Sequence, residues 1–373
     1  MRILFFQPGI GPYRLDFFNE LALKCELKIV YFFDEATEQK FPEPLAGKLK
    51  NCEVEKLTGG FNLRKYYPVR PALGRVVRDF KPDVVVGYEF NTVMLHLAML
   101  RRLTGAKWKL FLWTSDNLEI AAKCHGIRSF FRRIGTKACD GMLLYSDEVR
   151  EFYGSKLLPL EKTLTLPNIQ SEERIRADIA KSSGLAVELA EKYQLAGKKV
   201  LLFVGRLHPV KNLPELLEAL SRLPEYELVI AGGGTEYEHL ENLCSELRIA
   251  DRVHFSGGCY GEMLWAHYLL AGALLLTSTF ETFGAVVNEA LAAGIPCVVS
   301  DHVGAKVLIR SDKQGSVYPS GNVDALVSAL KRLSGRIEAF SPDSLSKMPP
   351  SLMDKKMSDY VNSFLTFAGS GNE

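Results

Sequence analysis

The sequence predicts an α/β protein built of two Rossmann-like domains facing a central cleft. Three observations predict it. Short apolar runs alternate with amphipathic helical stretches through residues 1–168, the strand–helix–strand grammar of a doubly wound parallel sheet. The same alternation starts afresh at Val200. A length of 373 residues, 47% apolar and 24% charged, suits two folded domains rather than one domain or a disordered chain.

The first domain is read as residues 1–168. Residues 2–6 form its first strand, closed by a Gly/Pro loop from Gln7 to Pro12. A helix follows with Leu15, Phe18, Leu21 and Ala22 on one face. Residues 27–33 are the second strand. The short apolar run 83–87, after Lys81-Pro82, reads as a buried parallel strand. A helix over 93–103, a strand over 108–113, a helix over 128–139 and a strand over 141–145 complete the unit. Leu166-Pro167-Asn168 ends it. The polar stretch 171–194 reads as a helical interdomain connection.

The second domain is read as residues 169–354. Strands are expected over 200–204, 227–231, 253–256, 273–277 and 297–300. Helices are expected over 213–223, 236–247, 263–270, 286–293 and 323–333. A Pro-rich loop over 341–351 leads to a last amphipathic helix, 352–367. In open α/β sheets ligands bind at the carboxyl ends of the strands, so the cleft between two such sheets is the place to look for chemistry.

Composition narrows the chemistry. The net charge of +2 hides an asymmetry: residues 1–168 carry 26 basic and 19 acidic side chains, residues 169–373 carry 20 and 25. Two domains with different partners are implied. The seven cysteines are scattered and never spaced C-x-x-C, which argues against a zinc ribbon or redox pair and for a reducing compartment. The opening apolar run breaks at Gln7-Pro8, too short for a signal peptide. No uncharged apolar stretch reaches the roughly 18 residues of a membrane span. A cytoplasmic protein is expected, with the cytoplasmic face of a membrane as a further location. There is no D-x-D, H-E-x-x-H, Walker A or G-x-S-x-G, so metal-free, non-redox chemistry is expected, with no metal ligands.

Four constellations stand out. The first runs from Thr279 to Glu289 as TFETFGAVVNE, after a strand and into a helix ended by Gly294 and Pro296. Backbone N–H groups at Phe283 and Gly284, at a positive helix end, suit hydroxyl and phosphate oxygens. If both were helical, Glu281 and Glu289 would lie about 12 Å apart. That is too far for hydrolysis by two carboxylates, at about 5–9.5 Å. It suits holding two separated polyols, such as the hexose and ribose of one nucleotide sugar. The second constellation is Gly205-Arg206 with Lys211, between a strand and a helix with Asn212 as N-cap. Two cations before a helix N-terminus make a pyrophosphate site.

The third is glycine: Gly9 and Gly11 after the first strand, and Gly232-Gly233-Gly234 after another. Each marks either a tight turn or a close backbone approach. The fourth is basic. Lys123, Arg128, Arg132, Arg133 and Lys137 interleave with Ile127, Phe130, Phe131 and Ile134, and residues 64–81 add Arg64, Lys65, Arg70, Arg75, Arg78 and Lys81. Such stretches fit anionic lipid or an acceptor pyrophosphate; they are also ordinary amphipathic surface. Nucleic acid is not expected, since no reader motif is present.

Gly205-Arg206-x4-Lys211 and Glu281-x7-Glu289 resemble the retaining GT-B glycosyltransferases of family GT4. The resemblance is strong in the second half and loose in the first. It implies transfer of a hexosyl group from a nucleotide-diphospho-sugar, with retention, to a glycan or lipid-linked glycan acceptor, in cell-surface polysaccharide or glycoconjugate synthesis; the basic aromatic stretches point to a polyprenyl-diphosphate-linked glycan as that acceptor. The nucleotide sugar is a substrate and no cofactor is implied. By resemblance Arg206 and Lys211 grip the donor diphosphate. Glu281 faces the donor sugar with Thr282, Phe283 and Gly284. Glu289 bonds the ribose, and Gly11 lies by the phosphate. The final helix, about 355–373, would cross back to the first domain. Many members carry a His where this chain reads Trp113-Thr114-Ser115-Asp116-Asn117, which makes Asp116 a candidate for the catalytic centre through acceptor contact. After Ser300-Asp301 the usual Gly-Gly is replaced by Val303-Gly304-Ala305. A nucleotide-sugar epimerase of the same fold and an inactive nucleotide-sugar-binding scaffold are the alternatives.

Overall fold

The computed structural model describes residues 1–33, 45–63, 67–346 and 348–370. Arg64 and Lys65 of the basic stretch lie outside the described residues. The chain divides into two compact units, Met1–Gln170 with Lys355–Glu373, and Ser171–Asp354.

The first unit runs β1 (Arg2–Gln7), α1 (Pro12–Ala22), β2 (Glu26–Tyr31), β3 (Glu53–Lys56), β4 (Phe61–Asn62), β5 (Pro68–Val69), α2 (Leu73–Phe80), β6 (Val84–Tyr88), α3 (Thr92–Thr104), β7 (Lys109–Trp113), α4 (Leu118–Ala122), α5 (Gly126–Ala138), β8 (Gly141–Leu144), α6 (Asp147–Lys156) and β9 (Thr163–Thr165). Its main sheet is parallel, in the order β3-β2-β1-β6-β7-β8-β9. The central strands are apolar throughout because both faces are covered. Leu4, Phe6, Val85, Leu110 and Leu112 face α2, α3 and α5. Phe5 faces the other way, into an aromatic cluster with Phe17, Phe18 and Trp113.

The second unit runs α7 (Glu172–Lys181), α8 (Ser183–Lys192), β10 (Lys199–Val204), α9 (Leu213–Ser221), β11 (Tyr226–Ala231), α10 (Tyr237–Glu246), β12 (Val253–Gly257), α11 (Glu262–Leu270), β13 (Ala273–Leu276), α12 (Ala285–Ala292), β14 (Cys297–Ser300), β15 (Gly315–Tyr318) and α13 (Val323–Leu333). Its sheet is also parallel, in the order β12-β11-β10-β13-β14-β15. The last helix, α14 (Met357–Gly369), belongs to the first unit and packs on α1. Phe364 joins Phe5 and Phe17, and Phe367 meets Phe111.

In both sheets the chain leaves a central strand, builds outward on one side, and returns to pair on the other. The switch lies between β1 and β6 in the first unit and between β10 and β13 in the second. Loops after these strands diverge and leave room for a ligand.

Several expectations change. The stretch 171–194 is no free connection. It forms α7 and α8, which bury Ile175, Ile179 and Leu189 and pack on α11 and α12. The last helix starts at Met357, five residues later than expected. The inward face of α1 carries Arg14 and Phe17, while Leu15 and Ala22 are only half-buried. Strands β3 and β15 and helices α2 and α6 are additional. Helix α2 was legible, since Leu73, Val76, Val77 and Phe80 repeat at helical spacing. The charged edge strand β3 (EVEK) was not, and β15 opens on a glycine.

Candidate functional site

Two loops flank the switch point of the second sheet. The one after β10 carries Gly205, Arg206 and Lys211; the one after β13 carries Thr279 to Gly284. They are knitted together. Thr277 Oγ1 donates to the Lys211 carbonyl at 2.8 Å, and the Thr279 N–H donates to the Val210 carbonyl at 2.9 Å. The Lys211 ammonium donates to Glu281 Oε2, with the side chains 14% and 20% exposed. Among the described residues neither side chain has another polar partner. Arg206 is exposed and makes no hydrogen bond or ion pair among the described residues.

Glu281 precedes α12 by four residues, so the 12 Å spacing, which requires both acids to be helical, does not apply. Its backbone is clamped instead by the turn after β14. The Glu281 N–H donates to the His302 carbonyl at 3.1 Å, and the Gly304 N–H donates back to the Glu281 carbonyl at 3.0 Å. A Cβ on Gly304 would lie 2.2 Å from the Thr282 carbonyl oxygen. The departure from Gly-Gly thus keeps a glycine where Thr282 passes. Phe283 is buried, and its carbonyl accepts from the Ala305 N–H at 2.6 Å. Gly284 takes the left-handed conformation (φ +94°) and no side chain caps α12. The first N–H groups of that helix lack intrahelical partners, so its positive end stands beside Glu281. Glu289 lies in the middle of α12, 9% exposed, and accepts from the Tyr268 hydroxyl at 2.6 Å. Burial and the Glu289 charge push the Tyr268 phenol well above its ordinary pKa.

Asn212 stands at the cap position of α9 but does not cap it. Its backbone is left-handed and its amide donates to Glu215. The glycine triplet is explained by backbone crowding. A Cβ on Gly232 would lie 1.7 Å from the Gly205 carbonyl oxygen, and one on Gly234 would lie 2.2 Å from that of Leu207. The triplet therefore supports the Arg206 loop from beneath. Gly11 sits in ordinary extended backbone (φ −91°) and precedes α1 without a side-chain cap.

The first unit holds a second cluster at the carboxyl edges of β6 and β7. Asp116 is 1% exposed. Its carboxylate accepts from Arg128 Nη2 and, at 2.6 Å, from the Tyr153 hydroxyl. Burial, and next the charge of Glu89, push the Asp116 carboxyl up to about 6 against the pull of Arg128. Glu89 shares Arg128 at 3.0 Å and also accepts from the Ser115 N–H at 2.8 Å and from Thr114 Oγ1 at 3.2 Å. The Glu89 backbone is left-handed (φ +64°), a strained state for a residue with a side chain. Its side chain is 24% exposed, so Glu89, not Asp116, is the carboxylate that reaches the surface. The sequence reading does not single out Glu89. Its position directly after a buried parallel strand was the available signal.

The basic stretches divide. Arg70 is buried and ties down the β4–β5 hairpin through the Phe61 and Val69 carbonyls, and Arg75 pairs with Glu55. Arg128 is half-buried and paired with Glu89 and Asp116, and Arg132 donates to the Ala121 carbonyl at 2.6 Å. Phe131 is buried and stacks on Tyr67. Ile127 and Phe130 are exposed, with Lys123, Arg133 and Lys137 at the surface nearby in sequence. Among the described residues no helix is long and apolar enough to cross a membrane, and no three His, Cys, Asp or Glu side chains could hold a metal ion.

Known proteins resemble this arrangement. The family model described as glycosyl transferases group 1 matches residues 188–335. A GDP-mannose-dependent alpha-(1-6)-phosphatidylinositol monomannoside mannosyltransferase of Mycobacterium tuberculosis is 31% identical over 217 residues, 55% of this chain and 55% of that protein. A lipopolysaccharide 1,6-galactosyltransferase of Escherichia coli K12 is 24% identical over 325 residues, 85% of this chain and 82% of that protein. The chain spans about half the length of the first curated relatives it matches, the mycobacterial enzyme among them. The Anabaena protein HepE, solved in complex with UDP, shares the fold with a TM-score of 0.70 at 18% identity, over 98% of this chain and 95% of that one. Residues 188–335 are a group 1 glycosyltransferase domain, and the chain as a whole has the GT-B fold of two Rossmann-like domains.

Proposed function

We propose that the protein is a retaining, metal-independent glycosyltransferase of the GT4 type. It moves a hexosyl group from a nucleotide-diphospho-sugar held by the second unit to a glycan or polyprenyl-diphosphate-linked acceptor held by the first. The observation that carries this reading is the Lys211–Glu281 pair at the β10/β13 switch point, between unpartnered Arg206 and the uncapped start of α12. Two cations, one acid and a helix N-terminus make a net positive site with one carboxylate, the composition that a diphosphate bearing a polyol requires.

In this mechanism the donor diphosphate displaces Glu281 from Lys211. Lys211 and Arg206 then neutralise charge as it grows on the departing diphosphate. Glu281, released, accepts from the sugar hydroxyls, and the Gly284 end of α12 faces the phosphate. Glu289, oriented by Tyr268, takes the ribose hydroxyls. The attacking hydroxyl gives its proton to a donor phosphate oxygen, so no separate protein base is needed. The named acceptors of the mannosyl- and galactosyltransferase relatives are lipid-borne. Together with exposed Ile127 and Phe130 among cations, they support work at the cytoplasmic face of an anionic membrane.

The test is a thermal-shift screen over UDP-, GDP-, ADP- and CDP-sugars. One nucleotide series should stabilise the protein by about 2.7 kcal/mol at 100 times its dissociation constant. Glu281→Ala should abolish transfer yet keep the fold. Normal turnover by that variant, or interconversion of the donor sugar without any acceptor, would defeat the proposal.

A further inference from the structure

The first unit contains a cation that the site above does not use. Arg14, in the first turn of α1, is 3% exposed. The other strongly buried or paired arginines have acids or several carbonyls: Arg101 has Asp140, Arg128 has Glu89 and Asp116, Arg70 has carbonyl oxygens. Arg14 has no carboxylate within ion-pair reach among the described residues. Its guanidinium lies 3.5 Å from the centre of the Trp113 ring and 4.8 Å from that of Tyr88. Nη2 donates to the Tyr145 hydroxyl at 2.5 Å, and Nη1 has no partner. A buried cation without an anion is costly, and ring faces offset only part of that cost.

The surroundings are rich in donors and poor in acceptors. Trp113 Nε1 is buried without a partner, and so is Gln7 Nε2. The register carries Gln7 level with Tyr88, and Tyr88 is paired with Trp113, so the three share one side of the sheet. Arg14 and Trp113 line a small, partly open pocket with Tyr13, Asn168 and Tyr360. The uncapped N-terminus of α1, with no acid in its first turn, opens beside it.

We infer that this cavity binds a phosphate-type oxyanion, with Arg14 as its counter-ion. Trp113 Nε1, from a residue that lines the same pocket, supplies a further donor. The anion is either free phosphate or the phosphate of an acceptor. The acceptor source rests on the transferase reading; the anion site itself does not.

The experiment uses the full chain carrying Lys211→Ala, so that the donor site contributes little phosphate binding. Inorganic phosphate is titrated against sodium chloride at constant ionic strength, reading Tm and tryptophan fluorescence. A saturable rise in Tm, lost when Arg14→Met is added and retained in part by Arg14→Lys, is the expected result. Arg14→Met should also match or exceed the parent in Tm without phosphate, because a purely structural arginine would be missed and an uncompensated one would not. No saturable response in the parent, or an equal response in Arg14→Met, overturns the inference. Dodecyl phosphate that displaces inorganic phosphate supports the site and assigns it to the acceptor. Failure to displace supports the site and assigns it to free phosphate. Transfer activity is assayed separately on the otherwise wild-type chain, so loss of the transferase reading leaves this result standing.

Discussion

At the carboxyl edge of the first sheet, Arg128 is shared by two carboxylates, each held by further donors. At the same edge of the second sheet, among the described residues the Lys211 and Glu281 side chains have only each other, and Arg206 has no partner. The first cluster has both carboxylates satisfied, although Arg128 Nε is buried without a partner, and with both acids ionised it carries one negative charge in excess. The second is unsaturated and carries one positive charge in excess. A saturated network resists exchange with a ligand, because any newcomer must replace bonds already made. An unsaturated pair trades one partner for another at little cost. One topology therefore yields a rigid wall in one unit and a receptive site in the other.

The sharpest way to break the contrast is to remove each cation in turn. Arg128→Met strands a buried Asp116 beside Glu89 and should cost about 3 kcal/mol or more in denaturant unfolding. Adding Asp116→Asn should recover part of that loss, since the two residues are coupled. Lys211→Met should cost about 1 kcal/mol in stability, near the value for a partly exposed pair. It should lower kcat by about 10²–10³ if it neutralises the leaving diphosphate. Equal stability losses in the two variants would mean that the clusters do not differ in kind.

A subtler test uses protons. Asp116 titrates near 6 in the folded chain and near the ordinary 3.8 unfolded. Between those values the folded state binds the extra proton, so this group's contribution falls as pH rises from about 4 to 6 and is level above. The groups facing it are Glu89, Arg128 and Tyr153. The wild type minus Asp116→Asn difference in unfolding free energy should therefore decline by on the order of 3 kcal/mol across that window. A flat difference would show Asp116 to be fully compensated by Arg128.

The sequence made the second unit more legible than the first. Strand 297–300 and helix 323–333 agree to the residue with β14 and α13, because buried parallel strands are continuous apolar runs and that helix has a clean period. Arg206, Lys211 and Glu281 fall on loops after strands, and Lys211 and Glu281 meet although 70 residues separate them. Chain position could not show that Arg206 stays unpaired, or that Glu281 is clamped by Gly304 rather than carried on a helix. In the first unit Asp116 was visible as an acid after a strand. Its burial, and the shift of exposure to Glu89, depend on Arg128 and Tyr153 arriving from α5 and α6. No local pattern encodes that meeting. Arg14 was hidden more deeply, since an arginine at an inward helix position contradicts the amphipathic rule used to place the helix.

The smallest expected effect lies next to the second cluster, at Glu289, which does not share its openness. It is nearly buried and held by the Tyr268 hydroxyl, so in this one feature the receptive site resembles the saturated wall. Tyr268→Phe keeps the ring and removes that bond, at a cost of about 1.5 kcal/mol. If Glu289 holds the ribose in ground state and transition state alike, KM for the donor should rise several-fold while kcat stays near wild type. A stability loss with KM unchanged would make Tyr268–Glu289 a packing contact of α11 on α12. A fall in kcat at constant KM would instead place Glu289 among the groups that tighten only as the glycosidic bond breaks.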